Sequence, residues 1–182
     1  MPEQTVGEQI RVLLTTPKTF DEGFRLLIAS YQERLYRHIR RMVIQHEDAN
    51  DLLQETLIKV YRNISDFRWE ADLYTWMHRI ATNEVLTFLR KQQKLQPVAD
   101  PDTLSGQLAA DKYFDGDQLQ TALQQAIQKL PEKQRLVFNM RYFESMSYQQ
   151  MSVILETSEG ALKASFHHAV KKIEHYFKHT AL

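Results

Sequence analysis

The chain has 182 residues, 43% hydrophobic and 25% charged, a size that holds one medium domain or two small ones. Its 23 basic and 23 acidic residues cancel, so any nucleic-acid binding must come from local charge or from a helper molecule. There is no cysteine, which excludes disulfides and thiolate metal centres and fits a reducing compartment.

Residues 1–19 read as an N-terminal extension. They lack the uninterrupted apolar core of a signal peptide, and no apolar run elsewhere is long enough to cross a bilayer. A cytoplasmic protein without direct membrane insertion is expected. From Phe20 to about Val43, Phe24, Leu27, Ile28, Tyr31, Leu35 and Ile39 recur at three- and four-residue steps, the period of an amphipathic helix. Asp48 or Asn50 is a candidate cap for the next helix, whose apolar face is Leu52, Leu53, Leu57, Ile58, Val60 and Tyr61. A polar-aromatic loop, FRWEAD at 67–72, precedes a third long helix from about Leu73 to Gln92.

Residues 96–118, with two prolines, five aspartates and no sustained period, read as a flexible acidic linker. Four helical segments follow in residues 119–182, and Pro131 is placed to open the second of them. No segment alternates with the period of a strand, so the expected fold class is all-α. Residues 1–95 carry 14 basic and 13 acidic side chains, 96–118 one and five, and 119–182 eight and five. A nearly neutral part, an acidic connector and a mildly basic part follow one another.

The last two segments have the form of a helix–turn–helix. Tyr148, Met151, Ile154 and Leu155 give one helix an apolar side, and Glu156-Thr157-Ser158 is a turn of the right length. Ser158 is a plausible N-cap for the next helix, although Ala161 breaks the capping-box pattern. Leu162, Phe166, Ala169, Val170, Ile173 and Phe177 belong to the core. Lys163, Ser165, His167, His168, Lys171 and Lys172 remain for the outer face, where they suit phosphates and base edges. The plain reading of that face is a solvated, lysine-rich surface. A metal reading is weaker: adjacent His167 and His168 point apart, and no acidic residue completes a set with His175 and His179. No metal or other cofactor is expected. No carboxylate pair, nucleophile–base pair or glycine-rich phosphate loop suggests catalysis, so the chain is not expected to be an enzyme.

Two blocks in order carry a specific resemblance. DLLQETLIKVYR at 51–62 and FRWEADLYTWMHRIATN at 67–83 resemble domain 2 of bacterial sigma factors. LPEKQRLVFNMRYF at 130–143, with SYQQM at 147–151 and SEGALKASFHHAVKKI at 158–173, resembles domain 4. With only a short connector between them, the chain resembles the extracytoplasmic-function (ECF) group of these factors. The resemblance implies a sigma domain 2 at 20–95, a linker at 96–118 and a sigma domain 4 at 119–182. It implies a transcription initiation factor that binds core RNA polymerase, directs it to promoters and helps melt the −10 element.

Carried over residue by residue, Asp51, Leu52, Gln54, Glu55, Ile58 and Lys59 match the surface that docks on the β′ clamp helices. Phe67, Arg68, Trp69, Glu70, Asp72 and Asn83 match the part that captures unstacked −10 bases, with Arg79, Arg90 and Lys91 on phosphates. Trp69 stands where a glycine is often found, as an added stacking surface or as a plug for the core. Trp76 is expected in the core with Ile80. Ser158, Lys163, Ser165, His167, His168, Lys171 and Lys172 match the −35 readers, although arginines common at two of these positions are missing. The implied partners are the β′ clamp helices and β flap of core polymerase, promoter DNA and an inhibitory anti-sigma factor. The rival reading, a stand-alone helix–turn–helix regulator, leaves the 51–59 block and the FRWEAD loop unexplained.

Overall fold

A computed structural model describes residues 2–43, 45–95 and 118–180, all helix or short connection, with no strand among them. The expected acidic linker lies outside the described residues except for Gln118. The chain divides into two compact units, Met1–Leu89 and Arg90–Leu182.

In the first unit, α1 (Pro2–Thr15) and α2 (Phe20–Met42) are joined by a single 3₁₀ turn, Pro17–Thr19. The turn is closed by the Thr19 hydroxyl, which donates to the Leu13 carbonyl at 2.9 Å. On α2, Leu27, Tyr31, Leu35 and Ile39 are all buried at four-residue steps, forming the stripe that the sequence period predicts. Asp21 and Glu22 in its first turn and Arg40 and Arg41 in its last complement the helix dipole.

Helix α1 falls within the expected N-terminal extension, residues 1–19. Ile10 is fully buried and Leu14 nearly so, and α1 packs along α2. The close approach is made at Gly23. A Cβ there would lie 2.8 Å from Leu13 Cβ and 3.0 Å from the Leu14 backbone nitrogen, so only a glycine lets the two helices meet.

Helix α3 (His46–Asn63) buries Ala49, Leu52, Thr56 and Val60 against α2. It begins earlier than expected: Gln45 takes the cap position, and Asp48 falls inside the first turn. After a 3₁₀ turn (Ile64–Asp66) and the 67–72 loop, α4 (Leu73–Leu95) starts under Asp72. That carboxylate accepts from the Thr75 amide and hydroxyl, both at 2.8 Å, which makes it a built N-cap. Met77, Ala81 and Val85 complete this core. Beside them the imidazoles of His38 and His78 lie tilted against each other with centroids 3.9 Å apart, and the Thr82 hydroxyl is within hydrogen-bond distance of both rings.

The second unit contains α5 (Gln118–Gln128), α6 (Glu132–Tyr142), α7 (Tyr148–Leu155) and α8 (Glu159–Thr180). Pro131 occupies the N-cap of α6, as its position suggests. Ile127, Leu130, Phe138, Ala169 and Ile173 form the centre, and Phe138 stacks on Phe166 with ring centroids 5.7 Å apart. Arg141 fastens the α6–α7 connection by donating to the Met146 carbonyl at 2.8 Å. A reciprocal capping box between Ser147 and Gln150 opens α7. The turn into α8 passes through Glu156 in the left-handed region, φ 50°, a conformation usually left to glycine.

Candidate functional site

Three surfaces carry the residues that the sequence singles out. The first is the rim of α3. Asp51, Gln54 and Glu55 are exposed, with Ile58 43% exposed beside them, whereas Leu52 is buried and supports the helix from within. Lys59 is committed inside the unit, where its ammonium pairs with Glu84 of α4. Asp48, considered only as a cap, joins this rim one turn before Asp51 and Leu52. Burial and the neighbouring charges of Asp51 and Glu47 push its carboxyl above the ordinary range. The rim is therefore acidic, and at Asp48 the charge is disfavoured first by burial and then by its neighbours.

That shift predicts a pH effect with a definite sign. A carboxyl whose folded pKa is raised binds more protons in the folded state just above the usual carboxylate range of about 4. Stability therefore falls as pH rises through that window, and the penalty is fully present at neutral pH. Asp48→Asn is expected to raise the melting temperature at pH 7 and to have little effect at low pH. Thermal melts at several pH values check this, and equal melting curves at neutral pH would count against it.

The second surface is the loop before α4. Phe67 lies between two indoles: Trp69 meets it edge-on at 5.1 Å, and Trp76 lies against it at 4.9 Å. Trp69 has φ 59°, so it occupies the left-handed region in which a glycine would be at ease. Such a conformation in a bulky residue costs about 1–3 kcal/mol and persists only where its surroundings impose it. Its ring is half-buried at the loop surface, next to exposed Arg68 and Glu70. Trp76 is also half-buried, as is Ile80, so neither is fully core. Asn83 is exposed two helical turns beyond Trp76 and shares its side of α4. Arg79 is half-buried, and Arg90 and Lys91 are exposed farther along the helix. Asp72 is occupied with capping.

The third surface is the helix–turn–helix. Ser158 caps α8 by accepting from the Ala161 amide at 3.3 Å, which leaves its hydroxyl proton available to a ligand. Lys163, His167, His168, Lys171 and Lys172 are exposed, and Ser165 is half-buried. Lys163 is restrained on two sides, 3.7 Å from Glu159 and 5.5 Å from the Tyr148 ring. His175 and His179 lie tilted against each other on the same helix, with ring centroids 4.2 Å apart.

One feature of this second unit is invisible in the sequence pattern. Leu123, Phe138, Tyr142, Phe166, Val170 and Phe177 line an open apolar groove of about 560 Å³. Several of these side chains read as plain core, yet Tyr142 is 56% exposed and Phe166 and Val170 are half-buried. A helix stripe wide enough to fill a core leaves an open edge when no further helix covers it.

Comparison with known proteins decides what these surfaces belong to. Residues 27–95 match the family described as Sigma-70 region 2, and residues 120–173 match Sigma-70, region 4. The chain is an ECF sigma factor. It is 28% identical over 168 residues to the RNA polymerase sigma-H factor of Pseudomonas aeruginosa, which covers 84% of each chain. It is 26% identical to the ECF RNA polymerase sigma-E factor of Escherichia coli strain K12, covering 84% of this chain and 85% of that one. Among solved structures, CnrH in complex with the cytosolic domain of CnrY shares the fold at a TM-score of 0.69 and 18% identity, covering 97% of both chains. The sigma factor RpoE of Bartonella quintana, bound there to the anti-sigma factor NepR, shares it at 0.68 and 19%, covering 86% of this chain and 98% of that one. The protein is thus a transcription initiation factor, and the stand-alone regulator is not favoured. No helix among the described residues of this sigma factor is long and apolar enough to cross a membrane.

Proposed function

We propose that the three surfaces of this sigma factor divide initiation between them. The rim of Asp48, Asp51, Gln54, Glu55 and Ile58 docks on the β′ clamp helices of core RNA polymerase, where an acidic edge beside an apolar residue suits a basic coiled coil. Phe67, Arg68, Trp69, Glu70 and Asn83 take up unstacked bases of the −10 element, with Arg79, Arg90 and Lys91 on phosphates. Rings give bases a stacking surface, and an amide reads their edges. Ser158, Lys163, Ser165, His167, His168, Lys171 and Lys172 face the −35 element. Leu52, Lys59 and Asp72 serve the fold that holds these groups. The reading includes domains at 20–95 and 119–182, joined by residues 96–118. It places the protein in the cytoplasm with the polymerase, without a reaction of its own.

The observation that carries this reading is the set of half-buried rings around Trp69, with Asn83 exposed on the same side of α4, in the same unit as the acidic rim. A duplex-binding regulator has no use for a stacking surface of that kind. The test is reconstitution: core polymerase alone and core with this chain are compared in run-off transcription from a library of promoter fragments. Selective initiation at a subset of promoters only in the presence of the chain is expected, and transcription indistinguishable from core alone would refute the proposal.

The apolar groove of the second unit fits the β flap of the polymerase. Tyr142→Glu places a charge at its exposed edge, and the fold should tolerate it. It is expected to reduce initiation at promoters that depend on the −35 element by about tenfold, while affinity for core falls much less. Equal losses at promoters with and without a −35 element would assign the groove to something else. An anti-sigma factor, the partner named for the Bartonella relative, would inhibit by covering the same surfaces.

A further inference from the structure

We propose that α1 is part of the promoter-melting surface and that Arg11 is its working residue, binding the phosphate of a nucleotide whose base stacks on Trp69. The proposal rests on the reading of the 67–72 loop given above. Three observations lead to it. Helix α1 is built into the unit: Ile10 and Leu14 are buried, and the contact at Gly23 leaves no room for play between α1 and α2. That anchorage holds the side of α1 bearing Arg11 beside the loop. The Arg11 guanidinium lies 5.9 Å from the centre of the Trp69 ring, within the range of cation–π attraction. Arg11 itself is exposed, as are its neighbours Gln9 and Val12.

The chemistry of the pair follows from its parts. Trp69 holds a conformation that its own backbone disfavours, so the contacts around it must select it. Phe67 braces one edge of the indole, and Arg11 supplies a second contact from another helix. A guanidinium near an aromatic ring keeps its in-plane N–H groups available, and their fork matches phosphate oxygens. A base stacked on the indole carries its own phosphate into reach of that fork. Arg11 thus positions the ring and neutralises the strand that the ring captures.

The test uses polymerase reconstituted with the full-length chain and a promoter fragment already unpaired across the −10 element, titrated at several salt concentrations. Arg11→Ala is expected to weaken binding about three- to tenfold and to lower the slope of log affinity against log salt by about 0.7, the share of one single-strand phosphate. Arg11→Lys should restore the slope but not the whole affinity, because an ammonium keeps the charge and loses the fork. Asn83→Ala is run beside them. If Asn83→Ala weakens binding while Arg11→Ala matches wild type in affinity and slope, the loop reading stands and the role of Arg11 falls. If neither changes binding, both fall. Weaker binding by Arg11→Ala with an unchanged salt slope and no rescue by lysine would reduce Arg11 to packing and overturn the phosphate contact. The free Arg11 variants should stay folded, with melting temperatures within a few degrees of wild type, because an exposed cation–π contact is weak.

Discussion

Reversing two charges on the α3 rim, with Asp51→Lys and Glu55→Lys in one chain, should lower affinity for core polymerase by about a hundredfold or more. Each change removes an attraction to a basic surface and adds a repulsion, and close interfacial charge pairs contribute roughly 1.5–7 kcal/mol. Both side chains are exposed, so the fold has no stake in them. The change at Asp51 also removes one of the charges that raise the Asp48 carboxyl. The variant should therefore melt at or above the wild-type temperature while failing to bind. The neutral pair Gln54→Ala with Glu55→Ala should cost less, about tenfold, since it removes contacts without adding repulsion. Titration of labelled core with each variant reads both values. Wild-type affinity in the charge-reversed protein would remove α3 from the interface.

The second large effect concerns melting. Asn83→Ala and Trp69→Ala are each expected to slow open-complex formation by about tenfold or more, because one stacked base contributes about 1–3 kcal/mol. Their affinity for core should not change. Permanganate footprinting of the bubble measures the loss, and normal footprints in both variants would contradict the assignment. Trp69 allows a sharper comparison, because its left-handed backbone separates the two roles considered for it. Trp69→Gly relieves the backbone strain while deleting the ring, whereas Trp69→Ala deletes the ring and keeps the strain. If the indole is a stacking surface, the glycine variant should be close to wild type in stability and as poor in melting as the alanine variant. If the indole plugs the core, the glycine variant should lose about 2 kcal/mol or more, the usual loss on deleting a packed aromatic ring being larger still.

The legible parts of this protein are those with a strong period. The stripe Leu27-Tyr31-Leu35-Ile39 places α2 between Phe20 and Met42, and Tyr148, Met151, Ile154 and Leu155 place α7. Ser158 is found at the cap of α8, and Leu162, Ala169 and Ile173 on its inner face. The start of α3 is less legible, because Asp48 and Asn50 look like caps while Gln45 holds the position without a side-chain bond. Helix α1 has a signal in Val6, Ile10 and Leu14 at four-residue steps and a stop at Pro17, but three apolar positions beside the mostly polar stretch 2–9 make a weak period.

The site residues divide along a physical line. Residue type locates Asp51, Gln54, Glu55 and Asn83 on exposed faces, whereas the partners of Lys59 and Arg11 are set by packing between segments far apart in sequence. The groove could not be read at all. Phe166 and Val170 have the sequence signature of core residues, and only the placement of α5, α6 and α8 shows an edge left open among the described residues.

The measurement that tests the central account most directly compares duplex promoter binding by the free protein with binding by the protein on core polymerase. The two units carry few uncompensated charges, and Lys163 on the reading helix is already paired with Glu159. The free protein should therefore bind duplex DNA weakly, with a shallow salt dependence and little preference for sequence. Bound to core, it should bind the same promoter tightly and selectively, because the polymerase presents both units to one DNA at high effective concentration. Tight, sequence-specific binding of duplex by the free protein, unimproved by core, would contradict the account.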